Sequence, residues 1–171
     1  ATYRGVPELI EWCQRNHILL MINTTGMIGY FQRVFAKNLL PKVPVLSAHP
    51  MVRYPKGDAD PPHVYDLFEI MDKGKNTESV IRSLNIPSDK IIIMGDSGGD
   101  GPHFKWGSGV KALLIGSMTK PSLKKYCDRH NLSFDIQFGI SYAEGVGKNL
   151  QKEMQINFSD LLPLLEKFLN A

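Results

Sequence analysis

The sequence predicts an α/β fold, an open and mostly parallel sheet wound on both faces by helices, and three observations support it. Two near-continuous apolar runs of strand length, ILLMI at 18–22 and KIIIM at 90–94, read as strands buried on both faces. Stretches of helical period alternate with them, the pattern of strands joined by crossover helices. The polar punctuation NTTG (23–26) and GDSGGD (95–100) directly follows those runs, at the strand ends where open α/β sheets bind ligands. With 171 residues, 43% of them hydrophobic, the chain suits one core, so a single domain over 1–171 is expected.

In order along the chain, Val6, Leu9, Ile10 and Cys13 recur at helical spacing behind Pro7, which a first helical turn tolerates. ILLMI gives a strand that NTTG ends, and Ile28, Phe31, Val34 and Phe35 resume a helical period. VPVL (43–46) is a short strand weakened by Pro44, and MVRYPKGDADPPH is a turn-rich loop. Residues 65–71 form a further strand, and a helix from about Asn76 to Leu84 carries Val80, Ile81 and Leu84 on one face. KIIIM, VKALLIG (110–116) and SFDIQF (133–138) are strands, and a short helix spans about 122–130. A closing helix, DLLPLLEKFL, takes Ser159 as its N-cap.

A net charge of +3 with lysines and arginines spread among acids gives no nucleic-acid signature. No apolar run approaches a membrane span, so no membrane partner is expected. Cys13 and Cys127 lie far apart without metal or redox spacing, which fits two ordinary thiols in a reducing, cytoplasmic setting. The opening ATYRGV, with no initiator Met and a helix almost at once, is how a cut or processed chain would begin.

Three features carry chemistry, and each has a plain structural reading beside it. Asp96 and Asp100 are close carboxylates among small residues; hard oxygen ligands of this kind suit Mg²⁺, and a Gly-rich turn with two solvated acids is the alternative. Thr24 or Thr25 followed by Gly26 at a strand-to-helix turn offers a hydroxyl and amides to an anion, or simply caps the helix. Lys73 and Lys75 stand just before a helix, where a lysine supplies a point charge to a phosphate or lies solvated on the surface. The five histidines show no metal-like pairing; His103 reads as a loop residue near Asp100, and Phe104 and Trp106 as packing.

Taken together, strand-Thr, then Lys before a helix, then strand-GDxxxD resembles motifs two, three and four of the haloacid dehalogenase-like (HAD) superfamily. The resemblance runs from Gly5 to about Gly116: RGVPELIEWCQRN resembles the helix before the second motif, and TGMIGYF resembles the SGGFTYF-type run of phosphoserine-phosphatase-like members, which selects Thr25. The interval 96 − 73 = 23 from Lys73 to Asp96, through an apolar-periodic helix and the NIPSDK turn, selects Lys73 over Lys75. The resemblance implies a three-layer Rossmann-like core and Mg²⁺-dependent hydrolysis of a small phosphorylated metabolite through an aspartyl-phosphate. It implies that Thr25, with Gly26, binds the transferring phosphoryl group and that Lys73 neutralises charge between nucleophile and phosphate. Asp96 would hold Mg²⁺, and Asp100 would ligate it or orient one of its waters or Lys73. The P-type ATPases carry a similar GDxxND loop, but Gly99 stands at its Asn position.

The family's first motif, an apolar strand ending in DxDx[TV] that supplies the nucleophile, is not found ahead of Thr25. Asp58-Ala59-Asp60 has no strand to deliver it, and Asp135 lacks the second acid. The expectation is that the first-motif strand, central in the family's sheet, comes from an N-terminal segment or a partner chain; a non-catalytic phosphate- or partner-binding relative is the alternative. No separate cap domain is recognised.

Overall fold

The computed structural model describes residues 2–170, and in it helices alternate with parallel strands except between the second and third strands, which a loop joins. The parallel arrangement is realised as two three-stranded sheets, β1-β2-β3 and β4-β5-β6. They belong to two compact units, residues 1–69 with 154–171, and residues 70–153.

In the first unit, α1 (Val6–Arg15) precedes β1 (Met21–Met27), and α2 (Ile28–Ala36) leads to β2 (Val45–His49) and β3 (His63–Asp66). β2 pairs in parallel with both neighbours, Met21 opposite Val45 and Val45 opposite His63. Its core joins Ile10, Phe35 and Val43 from the α1 and α2 side, with Ile28, Leu46 and Ala48 packed over Ile22 and Phe31. The unit closes on the short turn of helix at Phe158–Leu161 and α7 (Leu162–Leu169). Two expectations are corrected here. NTTG does not end the strand: β1 runs through Asn23–Gly26 to Met27 with an irregular register, because Thr suits a pleated strand as readily as a cap. Ser159 does not cap the closing helix: it lies in the short turn of helix at Phe158–Leu161, which Asn157 caps by accepting from the Ser159 N–H, and α7 follows from Leu161 with no side-chain cap.

In the second unit, α3 (Asp72–Ser83) precedes β4 (Ile92–Gly95), and α4 (Gly101–Gly109) leads to β5 (Leu113–Thr119). α5 (Pro121–Arg129), β6 (Ile136–Ser141) and the single turn α6 (Leu150–Glu153) complete it. β5 is central, with Ile92 opposite Leu113 and Ile115 opposite Ile136. Phe104 is fully buried among Ile91, Ile93, Leu114, Leu123 and Cys127, which confirms it as a packing residue; Trp106 packs against the same cluster. The expected strand at 65–71 ends at Asp66, and the helix expected from Asn76 begins four residues earlier, so Lys73 and Lys75 lie inside α3 rather than ahead of it. Both cysteines are free and buried, and burial pushes the Cys13 thiol up to about 11. No helix among the described residues is long and apolar enough to cross a membrane.

Candidate active site

The strand β4 delivers Ile93 to the core and ends on Gly95, and the chain then turns tightly through Asp96–Asp100 into α4. Asp100 folds back over that turn. Its Oδ2 accepts from the backbone N–H of Asp96 at 2.9 Å and of Ser97 at 3.2 Å, and its Oδ1 takes the Lys73 ammonium at 2.5 Å. Both side chains of this ion pair are buried, at 8% and 11% exposure. Burial alone would raise the Asp100 carboxyl, but the Lys73 charge and hydrogen bond and the two amides outweigh it, so the group is held below the usual carboxylate range.

The turn needs Gly95 for a steric reason. A Cβ there would stand 2.6 Å from Asp100 Cβ, 2.7 Å from Cγ and 2.9 Å from Oδ2, inside the space the carboxylate fills. Asp96 is placed differently, half-exposed, with its Oδ2 2.6 Å from the Lys120 ammonium. Lys120 follows β5 directly and also donates its backbone N–H to the Asp96 carbonyl at 2.8 Å, so the two strand ends are tied together. The sequence reading omits Lys120; its signal was position, a cation just past the carboxyl end of a buried strand.

Lys73 is set in the first turn of α3, and the neighbouring helix α4 meets it closely. Gly74 lies so near Trp106 that a Cβ would be 3.1 Å from the indole's Cβ and Cγ. One turn along α3, the Thr77 hydroxyl donates to the Lys73 carbonyl at 2.8 Å and stands 2.9 Å from His103 Nε2. His103 is not the solvated loop residue expected: it lies on α4, 8% exposed and stacked on Trp106 with ring centroids 5.8 Å apart. Burial, with Lys73 adding to it and Asp100 opposing, pushes the imidazole down to about 4.

That depression sets a sign for acid stability. The folded state resists protonation of His103 while the unfolded chain accepts a proton near 6.5, so the stabilisation is full above that value and is lost as the pH falls toward 4. Urea unfolding is expected to show a loss of about 2 kcal/mol between pH 7 and pH 5, a window above the Asp100 titration, and the loss should shrink in His103→Gln. An unchanged pH slope in that variant would contradict the burial of a neutral imidazole.

In the first unit, Thr25 and Gly26 lie near the carboxyl end of β1. The Thr24 hydroxyl oxygen accepts from the Gly26 N–H at 3.0 Å, so Thr24 is turned back on its own backbone, while Thr25 is exposed. The structure therefore brings Lys73 and Asp100 into contact and gives Asp96 to Lys120, with Thr25 and Gly26 in the other unit. The two first-motif look-alikes are structural. Asp60 Oδ2 is buried and accepts from Gln32 at 2.7 Å and the Gly57 N–H at 3.1 Å, and Asp135 accepts from the Leu114 N–H at 2.8 Å.

No family model matches the sequence, and no curated protein matches it. Solved structures do. A phosphoserine phosphatase with a phospho-aspartyl intermediate analogue matches over 96% of this chain with a TM-score of 0.59 and 18% identity. A phosphoserine phosphatase in apo form matches over 95% with 0.58 and 17%, and a substrate-bound phosphoserine phosphatase over 96% with 0.59 and 17%. The chain spans 64–66% of the length of those structures. Its fold is that of the phosphoserine phosphatases, the HAD-like Rossmann-type fold that the motifs resembled.

Proposed function

We propose that this chain carries the charge-neutralising and phosphate-positioning part of a Mg²⁺-dependent phosphomonoesterase acting on a small phosphorylated metabolite. The observation that carries the reading is the buried Lys73–Asp100 pair just after β4, in a fold shared with phosphoserine phosphatases, one of them a phospho-aspartyl intermediate analogue. Phosphoryl transfer asks for positioning and charge neutralisation more than for covalent chemistry by the surrounding residues. Lys73, held by Asp100, would bring a fixed positive charge toward the transferring group. In the first unit the resemblance gives the exposed Thr25 hydroxyl to a phosphate oxygen, whereas the Gly26 N–H is already taken by the Thr24 hydroxyl oxygen.

The donor set fits Mg²⁺ in a limited way. Among the described residues no three His, Cys, Asp or Glu side chains converge, and both Asp100 oxygens are committed, so Asp96 is the one loop carboxylate open to a metal. Mg²⁺ commonly takes one or two carboxylates and fills its octahedron with water and phosphate. Asp96 would hold the ion, and Lys120 would release the carboxylate as it does so. Bound there, Mg²⁺ supplies charge neutralisation to the phosphate oxygens. Asp100 acts in this reading on Lys73.

The nucleophilic aspartate would come from an N-terminal segment or a partner chain, as an added parallel strand. β1 and β4 each end a three-stranded sheet and so each offer a side for one. The test lies in the coding sequence before Ala1. If an apolar strand ending in DxDx[TV] stands there, the protein that includes it is expected to hydrolyse p-nitrophenyl phosphate in Mg²⁺ and to stop in EDTA. Hydrolysis indifferent to chelation sinks the metal assignment. No hydrolysis by that protein overturns the enzyme reading in favour of a phosphate- or partner-binding relative.

A further inference from the structure

Asp100, His103 and Trp106 recur every three residues from the start of α4, and each meets α3 at or within one turn of Lys73. Asp100 takes the ammonium, Trp106 covers Gly74, and His103 meets Thr77. The last contact has a defined direction. A hydroxyl has one hydrogen and a carbonyl can only accept, so the Thr77 hydrogen goes to the Lys73 carbonyl and the bond with His103 is made by the Nε2–H. We propose that His103 is a positioning residue for Lys73: a neutral, Nε2-protonated imidazole on α4 fixes the Thr77 hydroxyl, which in turn fixes the Lys73 carbonyl and the first turn of α3.

The physical logic is that Asp100 alone fixes only the tip of a four-carbon side chain with several rotors. Fixing its root as well leaves the ammonium one position. Burial of His103 makes the link costly to break, because an unpaired buried donor is not repaid by water. The role of Lys73 toward phosphate belongs to the proposed function above, on which the word positioning rests; the relay itself is testable in the chain without turnover.

The test is side-chain nitrogen NMR on the 171-residue chain. His103 is expected as the Nε2–H tautomer at pH 7. In Thr77→Val and His103→Leu, hydrogen exchange of the Lys73 ammonium is expected to speed up by about tenfold, the factor that one lost buried hydrogen bond represents. Thr77→Ser and His103→Gln, which keep a hydroxyl and a similarly placed N–H, should restore slow exchange. A merely space-filling His103 would be mimicked by Leu and not by Gln. The Nδ1–H tautomer, or equally slow exchange in folded Thr77→Val, overturns the proposal and leaves the phosphatase reading standing. Failure of the full protein to hydrolyse phosphate esters, with the relay intact, would overturn that reading alone.

Discussion

Lys73→Met is expected to destabilise the 70–153 unit by about 3–5 kcal/mol, measured by urea unfolding at pH 7, because it strands a buried carboxylate without its counter-charge. Asp100 cannot turn to solvent to escape. Its Oδ2 is held by the Asp96 and Ser97 amides, and its Oδ1 then faces the place the ammonium has left. Lys73→Met with Asp100→Asn keeps an oxygen for the two amides and removes the charge, so the double variant should recover a large part of the loss. Loss below about 1 kcal/mol in the single variant would mean that the pair is wetter than its burial implies. If the proposed function holds, a protein that includes a first-motif strand is expected to lose at least about 100-fold in turnover on the same substitution, because that reading gives Lys73 the charge neutralisation of the transferring group.

Gly95→Ala is the second change with a large expected effect, about 2–3 kcal/mol, of the size that overpacking brings to a tight site. The added methyl would overlap the Asp100 Cβ, Cγ and Oδ2, none of which is the far end of a flexible chain. The carboxylate must move, and with it the bonds to Lys73 and to two amides. Backbone NMR should show the Asp96 and Ser97 N–H signals shifting toward those of solvated amides. If both amides keep their positions and stability changes by less than about 0.5 kcal/mol, the carboxylate does not lie over Gly95 as described.

Much of the arrangement could be read from residue order. The apolar runs before GDSGGD and in ALLIG place β4 and β5, and the alternation with helices points to a parallel α/β fold; the expected burial on both faces holds for β5, whereas β4 leaves Met94 exposed. What stayed hidden depends on contacts between segments distant in sequence. The stretch GPHFKWGSG, with three glycines, reads as loop, yet it forms α4, anchored by Pro102 in its first turn and by Phe104 in the core. Lys73 reads as lying before a helix because KGKN has poor helical propensity; Gly74 in that helix costs about 1 kcal/mol against Ala, and the close approach of Trp106 leaves little room for a larger residue. The burial of His103 follows from that same approach and has no local signature. Nor does the Lys120 contact with Asp96, which joins the ends of two neighbouring strands.

The way Asp100 is held has a consequence for timing. A five-residue turn with two adjacent glycines, Gly98 and Gly99, would be expected to sample many shapes and to lose that freedom when a ligand arrives. Here the carboxylate ties the loop's own amides and the lysine of another helix into one arrangement as the chain folds. The entropy is therefore surrendered during folding, and any ligand that reached this loop would meet a surface already ordered.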